Sequence, residues 1–332
     1  MILVCFGTRP EYIKISPVIK ELQKNNIDYK ILFTGQHQDL TKEFLKDNFI
    51  SLEIKPGQNR LDSIVSSVLN KDYVFSGIDA ALVQGDTTSA FAVALAAFHR
   101  KIKIIHLEAG LRTNDLSHPY PEELNRQLIS RMADINLCPT ELNKANLLKE
   151  GVAGQIYVVG NTVLDNLVDV KTDYKQKVVV TLHRRENHEK MDEWFKEIDK
   201  LAENNKELEF IIPLHPNPNV QKHKHLLKNL KIIDPLKYNE FINLLAESKF
   251  VITDSGGLQE ETSFLGKKCI VCREKTERTE SVGKFSFMCE NPKKLENIFN
   301  AVNKNHIPTA GPCPYGDGTA SEKILSILKN EI

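Results

Sequence analysis

Two doubly wound α/β domains, each built on a parallel β-sheet, are the fold class that this sequence predicts. The chain has 332 residues, which exceeds the size at which a single hydrophobic core usually stops growing. Along its whole length, short apolar runs alternate with amphipathic stretches, which is the pattern of strands joined by crossover helices. Length and alternation together therefore predict two successive α/β halves that face each other across a cleft.

The first half contains short apolar runs that predict strands and amphipathic stretches that predict helices. The strands are predicted at 2–6, 30–35, 80–85, 103–107 and 135–138. The helices are predicted near 11–24, 61–70, 88–99 and 121–132. Apolar runs separated by helices are typical of a parallel sheet that is covered on both faces.

The second half continues the same alternation and ends in a further helix. Its strands are predicted at 156–160, 177–182, 208–214, 231–235, 249–254 and 268–272. Its helices are predicted near 188–204, 238–247, 257–264 and 292–303. We place the hinge near 160–170. The predicted domains are therefore 1–163 together with a C-terminal helix at 314–332, and 164–313.

The composition is that of an ordinary globular protein, with 41% hydrophobic and 27% charged residues. Because 44 basic residues balance 44 acidic ones, neither nucleic acid nor a membrane is expected as the main partner. The first residues lack the order of segments in a signal peptide, and the longest apolar stretch, 90–98, is about half as long as a membrane-spanning helix. These features and six scattered cysteines predict a cytoplasmic protein.

Neither a cofactor nor a metal is predicted. The segment 6–14 follows the first strand but has neither the GxGxxG nor the Walker pattern, so it does not indicate NAD or ATP binding. Cys269 and Cys272 fall on one predicted strand, where residues three apart point to opposite faces. They are therefore expected to be buried apolar side chains rather than zinc ligands.

Ligands of such sheets bind at the carboxyl ends of the strands, so polar residues at those ends are the candidate site. Arg9 and Lys14 bring positive charge to a helix N-terminus after the first strand, although a turn with solvated charges would explain them too. Asp86 and Glu108 follow two later strands, and Glu122 begins a helix. Together these three carboxylates would perturb one another's pKa values, as acid/base catalysis requires.

Purely structural roles stay open for some of these residues. Asp86 alone is explained equally well as a helix cap. Glu122 and Arg126 are one helical turn apart and could form a simple surface ion pair. Glu108 is harder to explain in this way, because a carboxylate at a strand end costs stability unless it is paired or used.

The second half offers a histidine and a phosphate-binding turn. His183 follows a strand beside Arg184, which favours a functional over a structural histidine, and His215 is similarly placed. In TDSGG the chain turns at Ser255 into a helix whose first N–H groups are free to bind a phosphate. Glu260 and Glu261 would repel a phosphate, so ribose hydroxyls are their expected partners. Arg273 and Arg278 are suited to neutralising the phosphate charge or to closing the cleft.

The segments GTRPE, TGQH, QGDTTS, HLEAGLR, PEELNR, HRREN, TDSGG, QEE and TER occur in the order and spacing of one family. The sequence resembles the non-hydrolysing UDP-N-acetylglucosamine 2-epimerases over nearly its whole length. The resemblance implies a GT-B fold of two Rossmann-like domains, a UDP-sugar substrate and a homodimer. It also implies reversible epimerisation at C2 of UDP-GlcNAc to UDP-ManNAc, by elimination of UDP to a 2-acetamidoglucal and its re-addition, without a cofactor.

The same resemblance implies roles for individual residues. Those that match catalytic positions of the family are Asp86, Glu108, Glu122, Arg126 and His183. Those that match positions holding the UDP-sugar are Arg9, Lys14, Phe241, Ser255, Gly256, Gly257, Glu261 and Arg278. Those implied in activation by a second UDP-GlcNAc molecule are Gln36, His37, Arg184 and His215. Two positions depart from the family pattern, since Asp39 replaces a glutamine and Thr279 a proline.

Four alternative functions remain open at the level of sequence. The first is a hydrolysing 2-epimerase, which would release free ManNAc and UDP. The second is 2-epimerisation of a related substrate such as a UDP-diacetamido uronic acid. A glycosyltransferase with the same fold would need an acceptor, and a UDP-sugar sensor would show no chemistry. Solvent deuterium at C2 would exclude the last two.

Overall fold

The computed structural model describes residues 1–36, 49–54, 57–304 and 311–332. Two compact units divide the chain. The first unit comprises Met1–Asn166 and Tyr315–Ile332, and the second comprises Leu167–Pro314. Each unit is a parallel sheet with helices between its strands, so the predicted fold class of two α/β domains is confirmed.

In the described part of the first unit, seven parallel strands form one sheet. They are β1 (Ile2–Phe6), β2 (Tyr29–Phe33), β3 (Phe49–Ser51), β4 (Ala80–Gln84), β5 (Lys103–Leu107), β6 (Ile135–Cys138) and β7 (Gln155–Val158). Their order is β3-β2-β1-β4-β5-β6-β7. The chain order reverses between β1 and β4, which makes their carboxyl ends the point where the following loops diverge and leave room for a ligand.

Six helices among the described residues of the first unit lie between its strands or follow them, and three of the six begin at a threonine cap. They are α1 (Arg9–Lys24), α2 (Arg60–Leu69), α3 (Thr88–His99), α4 (Glu122–Met132), α5 (Glu141–Glu150) and α11 (Ala320–Glu331). Thr8 caps α1, Thr87 caps α3 and Thr140 caps α5. Helix α11 packs against α1 and buries Ile324 and Leu328 in the core on that face of the sheet.

The second unit repeats the plan of the first. Its strands are β8 (Lys177–Thr181), β9 (Glu209–Pro213), β10 (Lys231–Ile233), β11 (Phe250–Thr253), β12 (Lys268–Val271) and β13 (Ser286–Met288). They are parallel in the order β10-β9-β8-β11-β12-β13, so the reversal lies between β8 and β11. Its helices are α6 (Met191–Asn204), the short α7 (Pro218–Gln221), α8 (Tyr238–Glu247), α9 (Gly256–Phe264) and α10 (Leu295–Lys304).

The structure corrects one predicted strand and adds four elements, one of which is the four-residue helix α7. The run at 156–160 does not open the second series, because β7 pairs in parallel with β6 and is the last strand of the first sheet. Strands β3 and β13 have only three residues each, too short for a clear pattern. Helix α5 buries only Asn143 and Leu147, so it carries no apolar stripe that would predict a helix.

Two sequence predictions concern the burial of Cys269 and Cys272 and the length of the apolar segments. Cys269 lies on β12 and Cys272 just after it, and both side chains are buried among apolar residues. All six cysteines are free thiols. None of the helices in the described ranges is both long and apolar enough to cross a membrane.

Candidate active site

Asp86 lies in the turn after β4, at the reversal point of the first sheet. Its carboxylate is ion-paired with the guanidinium of Arg126 on α4. Asn125 Nδ2 donates to the Asp86 carbonyl at 2.9 Å. The cap of α3 is Thr87, whose hydroxyl accepts from Ala90 N at 3.0 Å. Because Thr87 fills the capping role, helix capping does not explain the side chain of Asp86.

Glu108 follows β5, the neighbour of β4, and is nearly buried. It accepts hydrogen bonds from Lys14 Nζ at 2.5 Å, Gln84 Nε2 at 2.5 Å and Asn161 Nδ2 at 3.1 Å. Its φ of 65° lies in the left-handed region. A non-glycine residue held there stores about 1–3 kcal/mol of strain, which typically persists at functional sites.

These contacts bring together most of the residues predicted in the first unit. Lys14 meets Glu108, and Arg126 meets Asp86 while its Nη1 also lies 3.5 Å from Glu123 Oε2. Glu122 is the first residue of α4 and is half-buried, and Arg9 is exposed at the first residue of α1. The arrangement provides two carboxylates on adjacent strand ends, each with a cationic partner, which is suited to moving protons.

Glu11 is a buried carboxylate that the sequence analysis did not single out. Its Oε2 accepts from Thr8 N at 2.7 Å and Gly7 N at 3.1 Å, and its Oε1 accepts from the Thr87 hydroxyl at 2.7 Å. Thr8 and Glu11 form a capping box, whose Thr-x-x-Glu spacing was a signal available in the sequence.

The pKa of Glu11 shows what its burial does to stability. Burial raises the pKa from 4.5 to about 7, against the opposing effect of its hydrogen bonds. Because the folded-state pKa lies above the unfolded value, the stability linked to Glu11 is fully present below about pH 4.5 and is lost as the pH rises through about 7. At alkaline pH the ionised carboxylate therefore lowers the free energy of unfolding.

His106 contacts the turn that contains Asp86. Its Nε2 lies 2.8 Å from the carbonyl of Gly85, the residue before Asp86, and Ser130 Oγ lies 3.3 Å from its Nδ1. Complete burial lowers the pKa of His106 to about 4. The ring is therefore neutral at pH 7 and holds the Gly85 carbonyl rather than transferring protons.

In the second unit, Asp254 directly follows β11, at the point where the strand order reverses between β8 and β11. Its fully buried carboxylate accepts from the backbone N–H groups of His183 at 3.0 Å and Arg184 at 2.9 Å, and from Asn187 Nδ2 at 3.0 Å. The His183 ring stacks on His215 with 5.0 Å between centroids. Burial lowers the pKa of His183, although Asp254 opposes the shift. Neutral imidazole is therefore favoured.

The N-terminus of α9 is shaped by two glycines with different surroundings. A Cβ on Gly256 would lie 2.8 Å from Arg278 Nη1 and 3.0 Å from Glu277 Oε1. A Cβ on Gly257 would meet nothing within 4 Å. Gly256 is therefore required by the close approach of buried side chains, whereas Gly257 leaves open space beside the helix N-terminus.

Arg278 belongs to a buried chain of alternating charges. Its Nε donates to Glu260 Oε1 at 2.6 Å, and its Nη1 is bonded to Glu277. Arg273 continues the chain, with Nη1 at 3.4 Å from Glu277 Oε2 and Nε at 2.7 Å from Glu186 Oε1. Glu260 was expected to meet ribose, but its oxygen binds Arg278. The sequence could not show this contact, because the partners are distant in the chain.

A pocket of about 230 Å³ opens beside the turn after β8. Its lining includes His183, His215, Leu236, Phe241, Ser255 and Leu258. On α8, the helix that also carries Phe241, the hydroxyl of Tyr238 donates to Glu261 Oε1 at 2.9 Å. Burial and the Glu261 carboxylate raise the pKa of Tyr238, so this hydroxyl stays protonated. An apolar pocket with stacked rings on one side suits a planar base.

The residues predicted for activation by a second nucleotide sugar are only partly described. Gln36 accepts from Ser89 Oγ at 2.7 Å through its side chain and from Arg60 Nη2 at 2.7 Å through its carbonyl. His37 lies outside the described residues. Arg184 is bonded to Asp254 through its N–H, as above, so activation by a second ligand stays a prediction.

Comparison with known proteins adds a consistent set of matches. Residues 20–329 match the family model described as UDP-N-acetylglucosamine 2-epimerase. A UDP-N-acetylglucosamine 2-epimerase of Campylobacter jejuni is 38% identical, with 98% of this chain and 97% of that protein covered. The crystal structure of a Listeria monocytogenes putative epimerase matches at a TM-score of 0.91 and 35% identity, covering 99% and 95%. A Neisseria meningitidis epimerase bound to UDP-GlcNAc matches at 0.89 and 35%, covering 99% and 100%.

Proposed function

The chain belongs to the UDP-N-acetylglucosamine 2-epimerase family, as its motifs predict, and we propose that it interconverts UDP-GlcNAc and UDP-ManNAc. An acidic side chain takes the C2 proton while the C1–O bond to UDP breaks, which leaves a 2-acetamidoglucal and UDP. Re-addition of UDP at C1, with a proton delivered to the other face of C2, gives the epimer. No redox cofactor is required, since atoms and electrons balance without one.

Asp86 and Glu108 are the proton-transfer groups in this proposal, with Glu122 as a third carboxylate. The observation that carries the proposal is their placement after adjacent strands β4 and β5, each against a cation, Arg126 or Lys14. Positioned acid/base groups contribute about 100- to 10,000-fold in rate. Stabilisation of the leaving diphosphate must supply much of the remainder.

The second unit supplies groups suited to UDP. The first N–H groups of α9, at Gly256 and Gly257 beside the Ser255 cap, favour a phosphate, and the pocket beside Phe241 suits the uracil ring. Glu261 and Tyr238 form a hydrogen-bonded pair that can bind ribose hydroxyls. The remaining residues proposed to hold the UDP-sugar or its leaving group are Arg9, Lys14, His183 and Arg278.

The experiment that tests the function is incubation with UDP-GlcNAc in D₂O, followed by NMR at C2. We expect deuterium to enter C2 and UDP-ManNAc to accumulate with its UDP still attached, because the elimination intermediate is re-protonated from solvent-exchanged groups. Free ManNAc with UDP would instead identify a hydrolysing 2-epimerase. Binding without deuterium incorporation would contradict the epimerase and favour a sensor.

A homodimer is proposed through the outer face of α4. Leu124 and Leu128 are 42% and 39% exposed on that helix, and Leu116 and Tyr120 in the preceding loop are 51% and 66% exposed. This face lies opposite Arg126, because residues two apart on a helix point to nearly opposite sides. Exposed apolar residues clustered in this way are typical of a protein interface, and a second copy is the proposed occupant.

Charged substitutions on this face are expected to break the dimer. The double variant Leu124→Glu/Leu128→Glu should sediment as a monomer, since burying two carboxylates in an interface is unfavourable. Leu148→Glu on α5 is the matched control, because Leu148 is 61% exposed outside that cluster and should leave the mass unchanged. A wild-type chain that sediments as a monomer at micromolar concentration would contradict the proposal.

We also propose a cytoplasmic location. Six free cysteines, five of them buried, fit a reducing compartment, where disulfides are rare. Separating cell fractions and assaying each for C2 exchange would test this. Activity confined to a secreted fraction would be the opposite result.

A further inference from the structure

Glu11 connects two loops that leave the reversal point of the first sheet. Through Gly7 N and Thr8 N it holds the loop after β1, which leads to Arg9. Through the Thr87 hydroxyl it holds the loop after β4, directly beside Asp86. One buried carboxylate thus fixes the start of α1 and the start of α3 at once.

Three further side chains contact the turn that contains Asp86. His106 holds the carbonyl before Asp86, Asn125 holds its own carbonyl, and Arg126 pairs with its carboxylate. Glu11 completes this set through the residue that follows Asp86. The carboxylate of Asp86 is therefore located by contacts to both flanking residues and not by its own ion pair alone.

Capping α1 does not by itself account for Glu11. Thr8 already accepts from Glu11 N, and a neutral glutamine could accept the same two N–H groups with similar shape. A buried acid whose pKa is raised to about 7 lowers stability when it is ionised. A side chain that lowers stability and yet bridges the loops of Arg9 and Asp86 points to a role in function.

We propose that Glu11 is a positioning residue, which sets the location of the Asp86 carboxylate through its hydrogen bond with Thr87. The inference rests on the proposed function, in which Asp86 transfers a proton at C2. Glu11 itself touches neither substrate nor reacting atoms in this scheme. Displacement of a reacting group by about 1 Å can lower a rate about 100-fold, which is the scale expected here.

The test is a double-mutant cycle on Glu11 and Thr87. Glu11→Gln and Thr87→Val should each lower kcat about 10- to 100-fold, with KM changed by less than about threefold. With the amide oxygen on Gly7 N and Thr8 N, the glutamine presents its NH2 group to Thr87, so both variants remove the hydrogen bond that the Thr87 hydroxyl donates to Glu11. The double variant should therefore lose no more than the worse single variant. Thr87→Ser keeps the hydroxyl and should recover most of the kcat lost in Thr87→Val. At pH 8.5 the Tm of Glu11→Gln should equal or exceed that of the wild type.

Asn291→Ala controls for the loss of a helix cap, since Asn291 Oδ1 accepts from Lys293 N at 2.9 Å in the second unit. It should lower Tm and leave kcat unchanged. Unchanged kcat in Glu11→Gln, or multiplicative losses in the double variant, would overturn the positioning role while leaving the epimerase intact. A wild-type protein without C2 exchange would overturn the proposed function, and the positioning role with it.

Discussion

Replacement of Asp86 by asparagine is expected to lower kcat for epimerisation about 100- to 10,000-fold, the usual contribution of a positioned acid or base. The amide has nearly the shape of the carboxylate and keeps an oxygen for Arg126, but it cannot take or return the C2 proton. Deuterium incorporation at C2 should fall by the same factor. Affinity for UDP, measured by calorimetry, should stay within about threefold, because Asp86 is not among the residues proposed to hold UDP.

Asp134→Asn is the matched control for this change. Asp134 Oδ2 accepts from Ile104 N at 2.7 Å, near the start of β5 and therefore at the end of the strand remote from Glu108. The amide should lower Tm modestly and leave kcat unchanged. If Asp86→Asn retained kcat within about tenfold of the wild type, proton transfer by Asp86 would be excluded.

Adding one methyl group at Gly257 is expected to separate stability from ligand binding. A Cβ there meets nothing within 4 Å, and alanine is the better helix former by about 0.5–1 kcal/mol, so Gly257→Ala should raise Tm. The open space beside it is proposed to receive the phosphates of UDP. Affinity for UDP should therefore fall at least about tenfold, or about 1.4 kcal/mol.

Gly256→Ala is expected to act in the opposite way on stability. Its Cβ would lie 2.8 Å from Arg278 Nη1, and the bonds to Glu260 and Glu277 keep that guanidinium from moving aside. Overpacking of this kind costs about 1–3 kcal/mol, so Tm should drop. If both alanine variants lost stability while Gly257→Ala bound UDP normally, the proposed phosphate position would be wrong.

Much of the fold could be predicted from periodicity, because most strands are continuous apolar runs and most helices carry a clear apolar face. The position of β7 could not be predicted in this way. The apolar run at Gln155–Val158 indicates a strand, but it does not indicate that the strand pairs with β6 in the first sheet. The choice between a helix cap and a catalytic acid, which the sequence left open at Asp86, illustrates a similar limit. Asp86 and Thr87 are both good caps, and only the coordinates show that Thr87 takes that place.

Candidate site residues could be predicted where they directly follow a strand. They could not be predicted where their place depends on contacts with residues elsewhere in the chain. Asp86 and Glu108 stand out because carboxylates after buried strands are costly unless used. Glu11 was missed because its spacing from Thr8 also describes an ordinary capping box. The role of Asp254 was missed because its partners, the N–H groups of His183 and Arg184, lie on a loop far away in sequence.

The return of the chain to its first unit at α11 has a consequence for synthesis on the ribosome. Residues 167–314 can fold as soon as they emerge, whereas the first unit must wait for its last helix. Until then α1 lacks the helix that packs against it, and Asp165 lacks the N–H groups of Ala320 and Ser321. A nascent chain that stalls before α11 is therefore expected to have a folded second unit and a first unit with exposed apolar surface. Such exposed surface is what chaperones bind.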